Sequence, residues 1–357
     1  MPRARKGLRV GIVGATGMVG RELVELLERR RFPVGTMLPF SSGRARAFVR
    51  FRGRALAAPG VDSRALDACD LVFLVSSDET ALEHGPRLAA RGAWVIDDSA
   101  AFRLDPRVPL VIPEVNADAL RETQRLIAGP NCTMTGLGVA GALLHRSVGV
   151  REVRLASYQA VSGAGKAALA ELFGQTGALA RTSLLADGRA PVLAAGKGST
   201  LPRAIAFNAV PQVGRFGPDG ASGEETKVSG ELRKIWGAPR LKISATAVRV
   251  PTIRGHALAA WLTLARPFTP AAARAILAKT PGLRLAPEGD YPTPRSAGGK
   301  APVFAGRVRQ GATPREIALW IVSDNLLKGA ALNSAQIAEE LLRRGWLRPR
   351  VGPEGRG

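Results

Sequence analysis

The stretch from Leu8 to Arg31 constrains this chain more than any other. A β-prone apolar run, LRVGIV (Leu8 to Val13), leads into a glycine-rich turn, GATGMVG, and then into RELVELLERRR, where Leu23, Leu26 and Leu27 recur at helical spacing. Strand, glycine turn and helix in this order open a dinucleotide-binding unit. Glycine lets the backbone turn tightly and come close to a pyrophosphate, and the helix N-terminus offers unpaired N–H groups and partial positive charge. Gly14, Ala15, Thr16, Gly17, Met18, Val19 and Gly20 are therefore the expected cofactor-binding turn. A tight turn without a ligand is the plainer alternative.

The next apolar runs, LVFLVS (Leu71 to Ser76) and AWVIDDS (Ala93 to Ser99), flank the helical stretch ALEHGPRLAARG. Parallel strands joined by crossover helices have this pattern, so the first third reads as a doubly wound, Rossmann-type α/β domain. Some twenty residues past the glycine turn, NAD-preferring folds place an acidic residue on the ribose diol. This chain has Phe40, Ser41, Ser42, Gly43 and Arg44 there. Two hydroxyls and an arginine suit a 2′-phosphate, which favours NADP; the alternative is that Arg44 is one more solvent-facing arginine.

Beyond Cys132 the pattern changes. An apolar helical run (Leu137 to Leu144) precedes VREVRLASYQAV, and further β-like segments follow at ISATAVRVP, HALAAWLTLARP and REIALWIVSD. This predicts an α+β second domain, a mixed or antiparallel sheet with helices on one side. NSAQIAEELLRRGW reads as a final helix capped by Asn333 or Ser334 and closed by Gly345, with a frayed tail beyond about Pro349. The expected domains are 1–132, with the helix at about 333–345 returning to it, and 133–332.

Composition narrows the class. No apolar run reaches the roughly 18 to 20 residues that span a bilayer, and no signal-peptide block precedes the first strand, so a cytoplasmic place is expected. The two cysteines, Cys69 and Cys132, are too few for a disulfide framework and lack metal-ligand spacing. No metal is expected. The net charge of +22 raises the question of nucleic acid, but the basic residues are scattered, mostly as arginine, with only short runs. No groove-reading or base-stacking module accompanies them, and a dedicated nucleic-acid role is not expected.

Cys132 stands in GPNCTMTG directly before an apolar helical run, where a helix N-terminus stabilises thiolate. The residues alone leave it between a nucleophile and an inert core thiol; Cys69, in LDACDLVF, reads as the inert case. His84 and His145 lie in ordinary helical contexts, whereas His256 follows RVPTIRG and opens a strand-like run. A histidine beside a cysteine would supply the proton transfers that thioester chemistry needs.

Eight segments occur in one order: GIVGATGMVG, VIDDSAAFR with VPLVIPEVN, GPNCT, SYQAVSGAGK, FNAVPQVG, EETKVSGELRKI, RVPTIRGH and IVSDNLLKGAALN. Over about Leu8 to Leu342 the chain resembles the aspartate-semialdehyde dehydrogenases. That resemblance implies NADPH-dependent reduction of aspartyl phosphate to aspartate semialdehyde in lysine, methionine and threonine biosynthesis. It implies Cys132 as nucleophile, His256 as acid/base catalyst, and Asn131 and Gln159 as groups that position the cysteine and the acyl group. It further implies Arg249 for the substrate carboxylate, Arg103 and Lys227 for the phosphate, and Glu224, or its neighbour Glu225, for the ammonium. Cofactor contacts from Ser162, Gly163 and Asn325, and a homodimer, are implied in the same way. The chain departs from the family pattern at Asp98, where asparagine is common, and at Thr133 and Met134 after the cysteine. The nearest enzymatic alternative is N-acetyl-glutamyl-phosphate reductase, whose cysteine usually sits in a glycine-cysteine-tyrosine context. A catalytically silent NADP-binding scaffold and a basic nucleic-acid binder are the alternatives of another class.

Overall fold

The structure is a computed structural model, which describes residues 7–43, 46–181 and 192–350. The chain divides into two compact units. The first comprises Met1–Gly138, Glu231–Ala238 and Leu327–Gly357; the second comprises Val139–Gly230 and Pro239–Leu326. The first unit thus runs past the sequence-based boundary at 132, takes in a short internal segment, and regains the chain at Leu327 rather than at about 333.

The first unit is built on strands β1 (Leu8–Val13), β2 (Val34–Phe40), β5 (Leu71–Leu74), β6 (Trp94–Asp97) and β7 (Leu126–Ala128), with β3 (Phe48–Phe51) and β4 (Arg54–Ala57) forming a separate hairpin. The five-stranded sheet has the order β2-β1-β5-β6-β7, and every pair in it is parallel. From β1 the chain goes to β2 on one side and later to β5 on the other. The order therefore reverses at the C-terminal end of β1, where open α/β sheets bind ligands. Strands β5 and β6 are buried throughout, as expected of a parallel sheet covered on both faces. The β3–β4 hairpin turns through Arg52 and Gly53, both at positive φ, a two-residue connection whose twist matches the strands.

The helix Met18–Arg29 buries Leu23, Val24, Leu26 and Leu27 against this sheet. Each such side chain contributes roughly 1.5–3 kcal/mol when fully buried. The turn that precedes it depends on glycine. Gly14 has φ +86°, and a Cβ there would lie 2.1 Å from the Val75 carbonyl oxygen; at Gly20 a Cβ would lie 2.2 Å from the Gly14 carbonyl oxygen. Both obstacles are backbone, so neither can swing away. Gly20→Ala is expected to cost roughly 1–3 kcal/mol through overpacking, read as a lower denaturant midpoint.

Cys69 is packed in this core, and its thiol donates to the Ala65 carbonyl at 3.6 Å. Burial pushes it up to about 12, partly offset by Arg350 and Arg9, so it stays protonated at neutral pH.

The last helix, Leu332–Arg343, buries Leu332, Ala335, Ile337, Ala338 and Leu341 in the first unit's core. The expected cap is corrected: one wide π-type turn, Leu327–Ala331, runs straight into this helix, so Asn333 and Ser334 lie inside it. Their side chains are used elsewhere. Asn333 Nδ2 donates to the Val111 carbonyl at 2.9 Å, and Ser334 Oγ donates to Asp98 Oδ1 at 2.5 Å. Lys328, fully buried in the π-type turn, reaches Glu114 Oε2 at 2.7 Å and Gln336 Oε1 at 2.7 Å. Gly345, at φ +70°, closes the helix as expected.

Most of the expected frayed tail lies outside the described residues; up to Arg350 the chain is held. Trp346 stacks on Trp94 with centroids 6.3 Å apart, and the Arg350 amide donates to buried Asp70 at 2.7 Å. The Arg350 guanidinium donates to the carbonyls of Asp67 and Arg91, each at 2.7 Å.

The second unit carries a six-stranded mixed sheet of order β11-β12-β13-β10-β8-β9. Its strands are β8 (Val150–Gln159), β9 (Lys242–Arg249), β10 (His256–Leu264), β11 (Leu283–Leu285), β12 (Val303–Gln310) and β13 (Glu316–Ser323). Pairs β8/β9 and β11/β12 are parallel and the rest antiparallel. Along β8 burial alternates, with Arg154 and Tyr158 exposed and Val153, Leu155, Ser157 and Gln159 buried. One sheet face is therefore partly open, and Tyr158 and Trp320 meet on it with ring centroids 5.5 Å apart. Val161, Ala168, Leu172, Leu201 and Ile205 form a separate small core.

Candidate active site

In the first unit the glycine turn follows β1, and Gly17 caps the helix Met18–Arg29 without a side-chain hydrogen bond. The first turn of that helix is thus left open to an anion, while Gly14 and Gly20 hold the backbone in a cradle that a Cβ would fill. These features fit a dinucleotide pyrophosphate. At the end of β2 the Ser41 hydroxyl is already committed: it donates to the Ala58 carbonyl at 2.7 Å and accepts from the Gly43 amide at 3.2 Å. Ser42 beside it is exposed. Arg44 lies outside the described residues.

Cys132 begins the helix Cys132–Val148 and is half-buried. Asn131 caps that helix: its Oδ1 accepts from the amides of Thr133 at 2.7 Å and Met134 at 3.4 Å. This is the ordinary service of an asparagine at a helix start, and here it fixes the residue next to the sulfur. The π-type turn lies against the same spot, since a Cβ added at Gly329 would fall 2.8 Å from the Cys132 Cβ.

Arg103 is buried, and three of its five N–H groups are spoken for. Nε donates to the Gly129 carbonyl at 3.0 Å, Nη2 to the Asp98 carbonyl at 2.7 Å and Nη1 to Glu231 Oε1 at 3.1 Å. Among the described residues one N–H remains without a partner on each terminal nitrogen, a fork suited to two oxygens of one anion. Burial opposes its charge, but Glu231 and the nearby Cys132 outweigh that and raise the guanidinium above its ordinary range. Asp98, also beside Arg103, keeps Oδ2 without a hydrogen-bond partner among the described residues. Burial pushes its carboxyl up to about 6 against the Ser334 hydrogen bond, with Asp97 adding to the rise.

In the second unit, register explains the grouping. Strands β8 and β9 run parallel with Gln159 opposite Arg249, and β10 starts beside them at His256, opposite Ser323 at the end of β13. One edge of the sheet therefore gathers Gln159, Arg249 and His256, all buried. Gln159 Nε2 donates to Glu224 Oε1 at 3.1 Å and to Ser157 Oγ at 3.2 Å. Arg249 Nη1 donates to the Ala160 carbonyl at 2.8 Å. His256 Nδ1 accepts from the Ala160 amide at 3.0 Å, which leaves the ring hydrogen on Nε2. Burial, then the Arg249 charge, lowers this imidazole to about 3, against the Gly255 backbone. It is neutral at physiological pH.

Ser162 and Asn325 join the same edge. Asn325 Nδ2 donates to Ser162 Oγ at 2.9 Å, and Asn325 Oδ1 accepts from the Gly255 amide at 2.8 Å, bracing the residue before His256. At Gly163 a Cβ would lie 2.9 Å from Arg249 Nη1 and 3.3 Å from His256 Nε2. Gly163→Ala is therefore expected to push both side chains and raise the KM for the substrate about 10-fold, with little change in melting temperature. A steady-state titration alongside a thermal melt checks both halves.

The helix Gly223–Ile235 supplies the acidic pair. Glu225 accepts from the Ser222 amide at 2.6 Å and the Ala247 amide at 2.8 Å, so both its oxygens serve the backbone. Glu224 is buried beside Gln159, and Lys227, one turn on, is half-buried. Glu231, seven residues after Glu224 on the same helix, was not singled out from the sequence. Its signal was present in EETKVSGELRKI, where 224, 227 and 231 follow helical spacing. Among the described residues no cluster of three or more His, Cys, Asp or Glu could hold a metal ion, and no helix is long and apolar enough to cross a membrane.

Comparison with known proteins gives these residues a context. Residues 9–123 match the family model for the semialdehyde dehydrogenase NAD binding domain, and residues 141–328 match that for the semialdehyde dehydrogenase dimerisation domain. The aspartate-semialdehyde dehydrogenase of Synechocystis sp. is 39% identical over 345 residues, covering 95% of this chain and 99% of that protein. The Bacillus subtilis aspartate-semialdehyde dehydrogenase is 38% identical over 342 residues, covering 94% and 98%. Among solved structures, aspartate semialdehyde dehydrogenase II of Vibrio cholerae complexed with ASA superimposes with a TM-score of 0.86 at 36% identity, covering 94% of this chain and 98% of that one. With its ordered motifs, both domain models and relatives matched over nearly their full length, the chain belongs to the aspartate-semialdehyde dehydrogenase family.

Proposed function

We propose that this chain catalyses the NADPH-dependent reductive dephosphorylation of L-4-aspartyl phosphate to L-aspartate 4-semialdehyde, in lysine, methionine and threonine biosynthesis. The observation that carries the reading is the setting of Cys132: a capped helix start beside a buried, charged arginine with two N–H groups to spare. The Cys132 thiolate attacks the acyl carbon, the C–O bond to phosphate breaks, and an acyl thioester remains. The Gly14–Gly20 turn would hold NADPH, which would supply the hydride for reduction of the thioester on Cys132. The resulting hemithioacetal gives up the aldehyde and returns the thiolate.

Each anion and proton has a candidate partner. Arg103 and Lys227 take the departing phosphate, and Arg249 takes the substrate carboxylate through a planar fork. His256 presents Nε2–H toward the oxygen that gains charge and acts as acid and base; a carboxylate on Arg249 cancels one of the two causes that depress its pKa. Gln159 orients the acyl group and Asn131 the sulfur. Glu224 takes the ammonium, a choice over Glu225 supported by the latter's two backbone bonds. An acylated substrate would offer Glu224 no cation, which disfavours the acetyl-glutamyl alternative. Ser42 and Arg44 are assigned to the 2′-phosphate, with Ser41 shaping the turn, and Ser162, Gly163 and Asn325 to the nicotinamide side of the cofactor.

The domain assignment follows: 1–132 with 333–345 binds NADP, and 133–332 supplies substrate groups and a homodimer interface. The partly open face around Tyr158 and Trp320 is the surface offered to a second copy. The enzyme is assigned to the cytoplasm, without a dedicated nucleic-acid partner.

The test is NADPH formation from aspartate semialdehyde and NADP, with and without phosphate. Phosphate-dependent turnover is expected; none from a folded, NADP-binding protein overturns the reading.

A further inference from the structure

Glu231 is a carboxylate with no access to solvent, and its two oxygens are divided between two different jobs. Oε1 accepts from Arg103 Nη1 at 3.1 Å, and Oε2 accepts from the Asn131 backbone amide at 2.6 Å. Asn131 in turn caps the helix that Cys132 begins. The segment bearing Glu231 is itself fastened: Lys234 Nζ donates to the carbonyls of Arg103, Asp105 and Val108 at 2.7–2.8 Å, and Trp236 Nε1 donates to the Gly138 carbonyl at 3.1 Å. A fully buried carboxylate is costly to keep unless it is paired and hydrogen-bonded. Here that cost is offset by a guanidinium on one oxygen and a backbone amide on the other.

We propose that Glu231 is a positioning residue for the reaction, its one buried carboxylate tying the amide that precedes the nucleophile to the guanidinium that receives the phosphate. This rests on the roles assigned above to Cys132 and Arg103. Two consequences follow from the geometry. First, the distance between the acyl-accepting sulfur and the phosphate-binding fork is set by a single rigid group. Second, the negative charge of Glu231 offsets part of the Arg103 charge that acts on the nearby thiol.

Glutamine at 231 keeps the volume but has one acceptor oxygen for two donors, so its NH2 group opposes either Arg103 or the Asn131 amide. Aspartate keeps the charge but withdraws it by one methylene. In the full-length enzyme, E231Q is expected to lower kcat about 10- to 100-fold and to raise the KM for phosphate, through misplacement of the fork. At the same time the midpoint of the pH profile for Cys132 alkylation by iodoacetamide, read by intact mass, should move to lower pH, because a negative charge near the sulfur has been removed. A slower enzyme with a more readily ionised thiol is a combination that simple loosening does not produce. E231D should lose kcat with that midpoint unmoved.

A folded E231Q with wild-type kcat, phosphate KM and alkylation midpoint overturns the proposal. So does loss of activity in step with melting temperature, with the alkylation midpoint unchanged. If E231Q does not fold, E231D decides: wild-type kcat and phosphate KM there overturn it. R103K separates this from the underlying reading. An unchanged phosphate KM in R103K removes the phosphate role of Arg103, while the alkylation midpoint of E231Q still reports on the hold over Cys132.

Discussion

Cys132→Ala is expected to abolish phosphate-dependent NADPH formation from aspartate semialdehyde, by a factor on the order of 10⁴ or more, in a protein that still folds and binds NADP. In the proposed mechanism the sulfur forms and breaks the only covalent bond between enzyme and substrate, so no neighbouring group can substitute for it. The fold is spared because the helix start at 132 is held by the Asn131 cap and by Glu231, neither of which uses the sulfur. Cys69 offers no rescue, being buried and pushed up to about 12. Steady-state rates, NADP titration by fluorescence and a thermal melt on the same preparation check the three parts. Measurable turnover within tenfold of wild type would remove Cys132 from the mechanism.

His256→Asn should lower kcat by roughly 10²- to 10⁴-fold, the usual contribution of a positioned acid/base group. The pH dependence is as informative as the rate. In the free protein burial and Arg249 hold His256 at about 3, below its ordinary 6.5, so kcat/KM should show no limb from this histidine between pH 5 and 8. The same depression has a consequence for stability. Between about 6.5 and 3 the unfolded chain binds a proton on this ring that the folded chain does not, so the neutral ring's contribution is full above 6.5 and lost as pH falls through that window. Denaturant unfolding at pH 7 and pH 5 should show wild type losing more stability than His256→Asn. Equal losses would place the imidazole pKa near its ordinary value.

What the sequence made legible was chosen by residue type. The turn at Gly14 and Gly20 could be read because only glycine tolerates a carbonyl oxygen 2.1–2.2 Å from where a Cβ would stand. Parallel strands β5 and β6 could be read because burial on both faces demands unbroken apolar runs. The grouping of Gln159, Arg249 and His256 was not readable by spacing; it follows from the register of β8, β9 and β10, and only the family resemblance anticipated it. Glu231 stayed hidden because its partners lie 128 and 100 residues earlier in the chain, and a glutamate in a charged helix looks like a solvated one. The caps expected at Asn333 and Ser334 failed for a related reason. A π-type turn extended the helix backwards, and the polar side chains were drawn to the distant groups Val111 and Asp98. Ser41 likewise proved to be bonded within its own turn.

The first unit is assembled from three separated pieces of chain, and the last of them carries the helix Leu332–Arg343, the Trp346 stack on Trp94 and the Arg350 bonds to Asp67, Asp70 and Arg91. During synthesis the five strands of the parallel sheet are all made by residue 128, yet their covering helix and the final fastening are encoded at the far end. At roughly 5–20 residues per second the ribosome needs on the order of 10 to 40 s to deliver them. By the end of that interval the oldest part of the nascent chain still waits with an apolar flank uncovered, while the second unit, which ends at Leu326, has been made in full. The order in which the two units begin is thus the reverse of the order in which they are finished.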